Sequence, residues 1–166
     1  IKGGLEGVIA GKVIECVKHP NADRLKLTTI DLGNNQILEI VCGAPNIEKG
    51  QIVPVALVGS KIYTNDGVEI KIKKSKIRGV VSNGMVCAED EIGLGDSHDG
   101  IMVLDNKIKP GTPISEVFNI EDDNILEIGL TPNRCDAMSH YGVARELKAF
   151  YDYKSIKSRI NLPSIN

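Results

Sequence analysis

Short runs of alternating apolar and polar residues, each broken by Gly, Pro, Asn or Asp, recur along the first two thirds of the chain. Gly7 to Val17 is the first strand expected, apolar on both faces, with Gly11 placed to permit a bend. His19-Pro20-Asn21-Ala22-Asp23-Arg24-Leu25 holds turn formers and predicts a loop with a tight bend. A second strand runs to about Leu32, Gly33 to Gln36 forms a hairpin connection, and Ile37 to Cys42 is a third strand. After a tight loop at Gly43-Ala44-Pro45-Asn46, Ile52 to Val58 is a fourth. Its Pro54 points to an edge or a bulge. Thr64-Asn65-Asp66-Gly67 is a hairpin signal. Beyond it Val68, Ile70 and Ile72 alternate with Glu69, Lys71 and Lys73. At Lys74-Ser75-Lys76 the alternation slips by one, because Ile77 has the opposite parity. A slip of one turns every side chain to the other face, so a bulge or turn must absorb it. The lysines around it are therefore expected on a protruding feature rather than on one clean strand face.

Further on, Met85 to Ala88 is an apolar strand. Glu89 to Ile92 makes one helical turn stopped by Gly93 and Gly95, and Ile101 to Leu104 is a short strand. Gly111-Thr112-Pro113 starts a short helix reaching about Phe118, with Thr112 as N-cap. Ile125 to Leu130 reads as a strand and Thr131 to Arg134 as a turn. A helix capped by Ser139 follows, with Val143, Ala144, Leu147, Phe150 and Tyr151 on one face. The expected class is mainly β (α+β). Residues 1–110 form a small barrel, and residues 111–166 an α/β extension that leaves through Leu162-Pro163-Ser164 toward a further domain.

Composition refines this only modestly. The chain has 166 residues, 42% hydrophobic and 25% charged, an ordinary globular balance. The formal net charge of −2 argues against binding nucleic acid with the whole surface, but leaves room for a local basic patch. Such a patch exists. From Lys61 to Arg78 there are six basic and two acidic residues, and from Gly79 to Asp105 six acidic residues and no Lys or Arg. Lys71, Lys73, Lys74, Lys76 and Arg78 fit two accounts. They can keep edge strands from aggregating, or contact phosphates with release of counterions. Aromatic content is 4% with no Trp, so stacking platforms for single-stranded bases are scarce, and shape and backbone contact should dominate any RNA binding.

No catalytic constellation emerges. Ser139 and His140 are adjacent but lie in no GxSxG, and Gly93-Leu94-Gly95 is neither GxGxxG nor a Walker loop. Asp96-Ser97-His98-Asp99-Gly100 reads as an acidic turn rather than a calcium loop. Cys16, Cys42, Cys87 and Cys135 make no CxxC, so no zinc knuckle or other metal site is expected, and free thiols suit a reducing cytoplasm. No apolar run approaches the ~18 residues of a membrane span. The first residue is Ile1, which reads as a fragment of a longer chain with no signal peptide visible.

Three stretches carry a resemblance. HPNADRL at His19–Leu25, CGAPN at Cys42–Asn46 and KIRGVVSNGMVCAEDEIG at Lys76–Gly93 are similar to the tRNA-binding oligonucleotide/oligosaccharide-binding (OB) barrel. GDSHDGI at Gly95–Ile101 and LEIGLTPNRCDAMSHYGVARELKAF at Leu126–Phe150 resemble the β subunit of bacterial phenylalanyl-tRNA synthetase. The resemblance implies an auxiliary tRNA-contacting module of an α2β2 ligase that uses ATP and magnesium and charges tRNA(Phe). The catalytic and editing sites lie elsewhere, so no catalytic residue and no cofactor is placed on this piece. The partners implied are tRNA(Phe) and the α subunit. At the barrel rim it suggests Lys71, Lys73, Lys74, Lys76 and Arg78 for phosphates, Ser82 and Asn83 as hydrogen-bonding groups, and Arg24 as a further cation. The alternative is a docking module that braces neighbouring domains with negligible tRNA contact. His19 and its turn, and Arg134 in TPNRCD, are expected to be structural.

Overall fold

The computed structural model describes residues 3, 5–121 and 125–161. The chain divides into two compact units, Ile1–Asp122 and Asp123–Asn166. The first is built on five antiparallel strands: β1 (Val8–His19), β2 (Ala22–Asp31), β3 (Ile37–Cys42), β4 (Ile52–Leu57) and, after an excursion described below, β9 (Gly84–Val86). Their order is β3-β2-β1-β4-β9. β1 serves two neighbours in succession: Val8 to Lys12 pair with β4, and Lys12 to His19 pair with β2. The β1–β2 register shifts between Val13 and Glu15, so one long strand bends and the sheet coils into a nearly closed barrel. Closure comes between β3 and the chain entering β9, where the Asn83 N–H donates to the Glu39 carbonyl (2.9 Å). This is OB-fold topology, as the sequence predicts.

Two hydrophobic clusters meet at β4. Val53 and Val55 point to the barrel interior with Val13, Ile30, Ile40 and Val86. Ile52 and Ala56 point outward, under Leu5, Ile62, Ile72, Ile92 and Ile114. A strand covered on both faces needs apolar residues at nearly every position, which Ile52-Val53-Pro54-Val55-Ala56-Leu57 supplies. Pro54 therefore lies in a central strand, not at an edge. Its carbonyl accepts the Cys87 N–H (3.0 Å), so its missing donor faces β9, just past the end of the Val55↔Val86 ladder. The β1 partner opposite it, Ala10, spends its own N–H and C=O on Thr112 and Gly111. No ladder bond is lost at Pro54.

Other expectations shift by small amounts for identifiable reasons. Gly11 is needed for space rather than for bending. A Cβ there would lie 2.6 Å from Ile30 Cγ2 and 2.9 Å from Leu32 Cδ2. The tight bend in His19–Leu25 is a two-residue hairpin turn, Pro20–Asn21, and β2 starts at Ala22. Gly33 to Gln36 does form a hairpin, with Asn34 and Asn35 both left-handed. The helix at 111–118 is a single turn, α1 (Ile114–Val117), with Pro113 at the cap. Thr112 cannot serve, because its carbonyl takes the Ala10 N–H and its hydroxyl donates to the Lys109 carbonyl. Ile101 to Leu104 makes only a bridge, Ile52↔Leu104. The 3-10 turn Asp90–Ile92 ends at left-handed Gly93.

In the second unit, helix α2 (His140–Tyr153) starts at Ser139, whose hydroxyl accepts the Gly142 N–H (3.0 Å). Arg134 bonds both Asp136 (3.1 Å) and Glu146 (2.8 Å), tying the turn at 135–137 to the helix. Those two carboxylates hold the guanidinium pKa above its ordinary value, and Arg134 in turn holds the Asp136 carboxyl below its own. Ile125 to Leu130 is irregular and forms no strand. Ile125 is 92% exposed and Leu126 74%, so the alternation there finds no ladder among the described residues. Leu162-Pro163-Ser164 lies outside them. No helix among the described residues is long and apolar enough to cross a membrane.

Gly11→Ala tests the crowding at the β1 bend. Overpacking against Ile30 and Leu32 should cost about 1–3 kcal/mol, read as a lower urea midpoint with the far-ultraviolet circular dichroism spectrum retained.

Candidate nucleic-acid interface

Between β4 and β9 the chain leaves the barrel for residues 58–83 and builds two arms. The first pairs β5 (Lys61–Tyr63) with β6 (Glu69–Lys71), and the second pairs β7 (Ser75–Ile77) with β8 (Val80–Ser82). In OB barrels nucleic acids are bound by the face of strands 2 and 3 and by the loops joining strands 1–2 and 4–5. Both arms belong to the second of these loops. The parity slip at Lys74–Lys76 is where one arm ends and the next begins.

In the first arm Lys61 lies directly opposite Lys71. Like charges in that position repel. Glu69 takes up Lys61 at 3.0 Å and accepts the Tyr63 hydroxyl at 2.9 Å, which raises the pKa of both. The link between the arms is pinned by buried Ile72, whose N–H donates to Ser60 and whose carbonyl accepts from Gly59, both at 2.9 Å. Lys73 and Lys74 follow that pin and are exposed. In the second arm Lys76 faces Val81 across the ribbon. The tip is Arg78–Gly79, both left-handed (φ 49° and 95°), the pattern of a tight two-residue hairpin turn.

Lys71, Lys73, Lys74, Lys76 and Arg78 are all exposed, and among the described residues none of them enters an ion pair. Arg24 is exposed near the start of β2, three residues past the β1–β2 turn at Pro20–Asn21. Ser82 belongs to the barrel. It is 1% exposed, its hydroxyl accepts the Val41 N–H and donates to the Gly84 carbonyl, both at 3.1 Å, so its one proton is used internally and burial keeps the oxygen from a ligand. Asn83 is half-buried beside it, with its backbone N–H on Glu39.

Several features escaped the sequence reading. Under β8 lies a groove of about 210 Å³, lined by Val17, Leu27, Thr29, Val81, Glu15 and Glu39. Two carboxylates on this strand face repel a polyanion, so the positive surface is the loop and not the sheet. Lys26 is occupied internally, donating to the Pro45 (3.0 Å) and Ile47 (2.8 Å) carbonyls. Asn46 clamps the backbone of Ile101 in both directions (2.8 and 2.9 Å). The Cys42–Asn46 stretch is thus a rigid loop locked to residues 100–101. His19 is buried, and its Nδ1 accepts the Asn21 N–H at 3.0 Å. Lys26 and Asn46 are long-range contacts, which spacing along the chain does not encode.

Among the described residues no group of three or more His, Cys, Asp or Glu could hold a metal ion, and no glycine-rich phosphate loop is present. Burial pushes the Cys42 and Cys87 thiols up, away from nucleophilic use.

The profile of the Putative tRNA binding domain family matches residues 8–113. Among curated proteins, the chain is 53% identical over its whole length to a phenylalanine–tRNA ligase β subunit of Bacteroides fragilis. It is 49% identical over its whole length to the protein of that name from Porphyromonas gingivalis, and 46% identical over 96% of its length to that from Salinibacter ruber. The chain spans about a fifth of the length of each (20%).

Ser82→Ala should cost about 1–3 kcal/mol, because it leaves the buried Val41 N–H unpaired, and a urea melt reads this directly. His98 Nδ1 lies 2.9 Å from Asp90, and that hydrogen bond raises the imidazole pKa above 6.5. An NMR titration of His98 should show the raised midpoint, and Asp90→Asn should bring it back down. Because the folded-state pKa is the higher one, the pair supports the fold at low pH and loses that effect as pH rises through the folded midpoint.

Proposed function

This chain belongs to the family of tRNA-binding domains, and on that premise we propose that it is the auxiliary tRNA-contacting module of a phenylalanine–tRNA ligase β subunit. It supports aminoacylation of tRNA(Phe) and carries no catalytic group itself. The observation that carries this reading is the set of five exposed, unpaired cations in the loop between barrel strands four and five, where OB folds bind nucleic acid. Lys71, Lys73, Lys74, Lys76 and Arg78 contact phosphates. Asn83 and Arg24 are further contact groups, and Ser82 fixes the root of the arm. The whole enzyme would join this chain to an α subunit in an α2β2 assembly, with ATP and magnesium used outside the residues described. Four free cysteines fit a reducing, cytoplasmic setting.

A second reading is favoured by a separate observation in the unit Asp123–Asn166. Its α2 face leaves Leu147, Phe150 and Tyr153 exposed, with Ile125 and Leu126. Exposed large apolar side chains concentrated in one unit suit a docking role, so this unit braces neighbouring parts of the enzyme while the barrel contacts tRNA.

Replacing Lys71, Lys73, Lys74 and Lys76 together by Ala should weaken tRNA binding in a filter-binding titration and flatten its salt dependence. Each lost phosphate contact should reduce the log–log slope by about 0.7–0.9. Unchanged affinity and slope would remove the role given to the arms. Leu147→Ser with Phe150→Ser should leave that titration unchanged and weaken subunit assembly, followed by analytical ultracentrifugation.

A further inference from the structure

The tip of the second arm is not interchangeable with the rest of the cationic cluster. Among the described residues, six non-glycine residues adopt left-handed backbone: Leu5, Asn34, Asn35, Arg78, Asn119 and Ser155. Three are asparagines, which tolerate this region because their short amide bonds locally. Leu5 is buried in the outer core, so packing compensates. Ser155 follows the end of α2 and donates its N–H to the Asp152 carbonyl (3.0 Å), an ordinary helix termination. Arg78 has no such compensation. Its side chain is exposed, and among the described residues no hydrogen bond or ion pair engages it.

The turn it occupies favours Asn-Gly. Gly79 meets that preference at the second position, and a Cβ there would have nothing within 4 Å, so the tip is unobstructed. Arginine at the first position keeps a strain that the fold itself does not offset. Strain of this kind, at an exposed loop held by a firm scaffold, marks function. The scaffold is firm at its root, where the Val41 N–H donates to Ser82 Oγ and the Asn83 N–H to the Glu39 carbonyl. Such a ribbon fixes the backbone position from which the exposed Arg78 guanidinium reaches out. The guanidinium offers a planar fork of donors that matches two phosphate oxygens, which an ammonium cannot do.

We propose that Arg78 is the anchoring residue of the tRNA interface: it grips one backbone phosphodiester in bidentate fashion, while Lys71, Lys73, Lys74 and Lys76 supply non-directional attraction. This rests on the tRNA-binding reading above and assigns distinct parts within it. Three variants of the full chain, titrated with a tRNA(Phe) transcript across a range of salt and melted in urea, test it. Arg78→Lys retains the charge and should keep the salt slope while losing affinity several-fold. Arg78→Asn suits the turn better and should lose at least as much affinity while raising the urea midpoint. The fourfold lysine-to-alanine variant should lose affinity and slope together. Wild-type affinity in Arg78→Lys, or no gain in midpoint for Arg78→Asn, overturns the proposal and leaves the tRNA reading standing if the lysine variant is weakened. Wild-type binding by the lysine variant overturns the tRNA reading, and the Arg78 assignment with it.

Discussion

The barrel closes at one short stretch, Ser82-Asn83-Gly84, and the rest of the molecule depends on that closure. Within three residues a buried hydroxyl replaces a missing ladder bond to Val41, a backbone N–H reaches Glu39, and Gly84 starts β9 where a Cβ would lie 2.9 Å from the Ala56 carbonyl. A side-chain oxygen can do what a strand would otherwise do because it satisfies the same buried donor. Once the edge is sealed this way, residues 58–81 are not needed to complete the cylinder. They can project as arms and carry charge that no barrel interior would accept.

The outer core shows the same division. β4 is buried on both sides because the first arm and the segment through Ile114 fold back over it. Ile62 and Ile72 are the apolar feet of an otherwise polar arm. One face of the loop is thus anchored by burial and the other is left free. Lys71 and Lys73, on either side of buried Ile72, are both exposed.

What was legible in the sequence follows the range of the interaction. Local signals read well: the Asn34–Asn35 turn, the Ser139 cap, the Gly93 stop, and the parity break that separates the arms. Each depends on residues a few positions apart. The misreadings were non-local. Pro54 reads as an edge or bulge residue because its missing donor is evident, whereas the end of the β9 ladder that makes the gap harmless is not. Ser82 looked like a rim group because a serine beside an asparagine and a glycine reads as an exposed turn. Only its spatial neighbour Val41 shows that the hydroxyl is used internally. Ile125 to Leu130 alternates like a strand, but alternation does not supply a partner. The five cations were legible because exposure is the default for Lys and Arg. That Lys26 and Lys61 are taken by internal acceptors was not.

Net charge then becomes a poor guide to what this surface does. At physiological ionic strength charges more than about 8 Å apart are largely screened, so an acidic group counts mainly in its own neighbourhood. It acts where it lies. Glu15 and Glu39 make the strand face unfavourable for a polyanion, and the arms remain the favourable approach. An overall charge of −2 and a discrete cationic loop are therefore compatible. Together they restrict where RNA can make contact more narrowly than a uniformly basic barrel would.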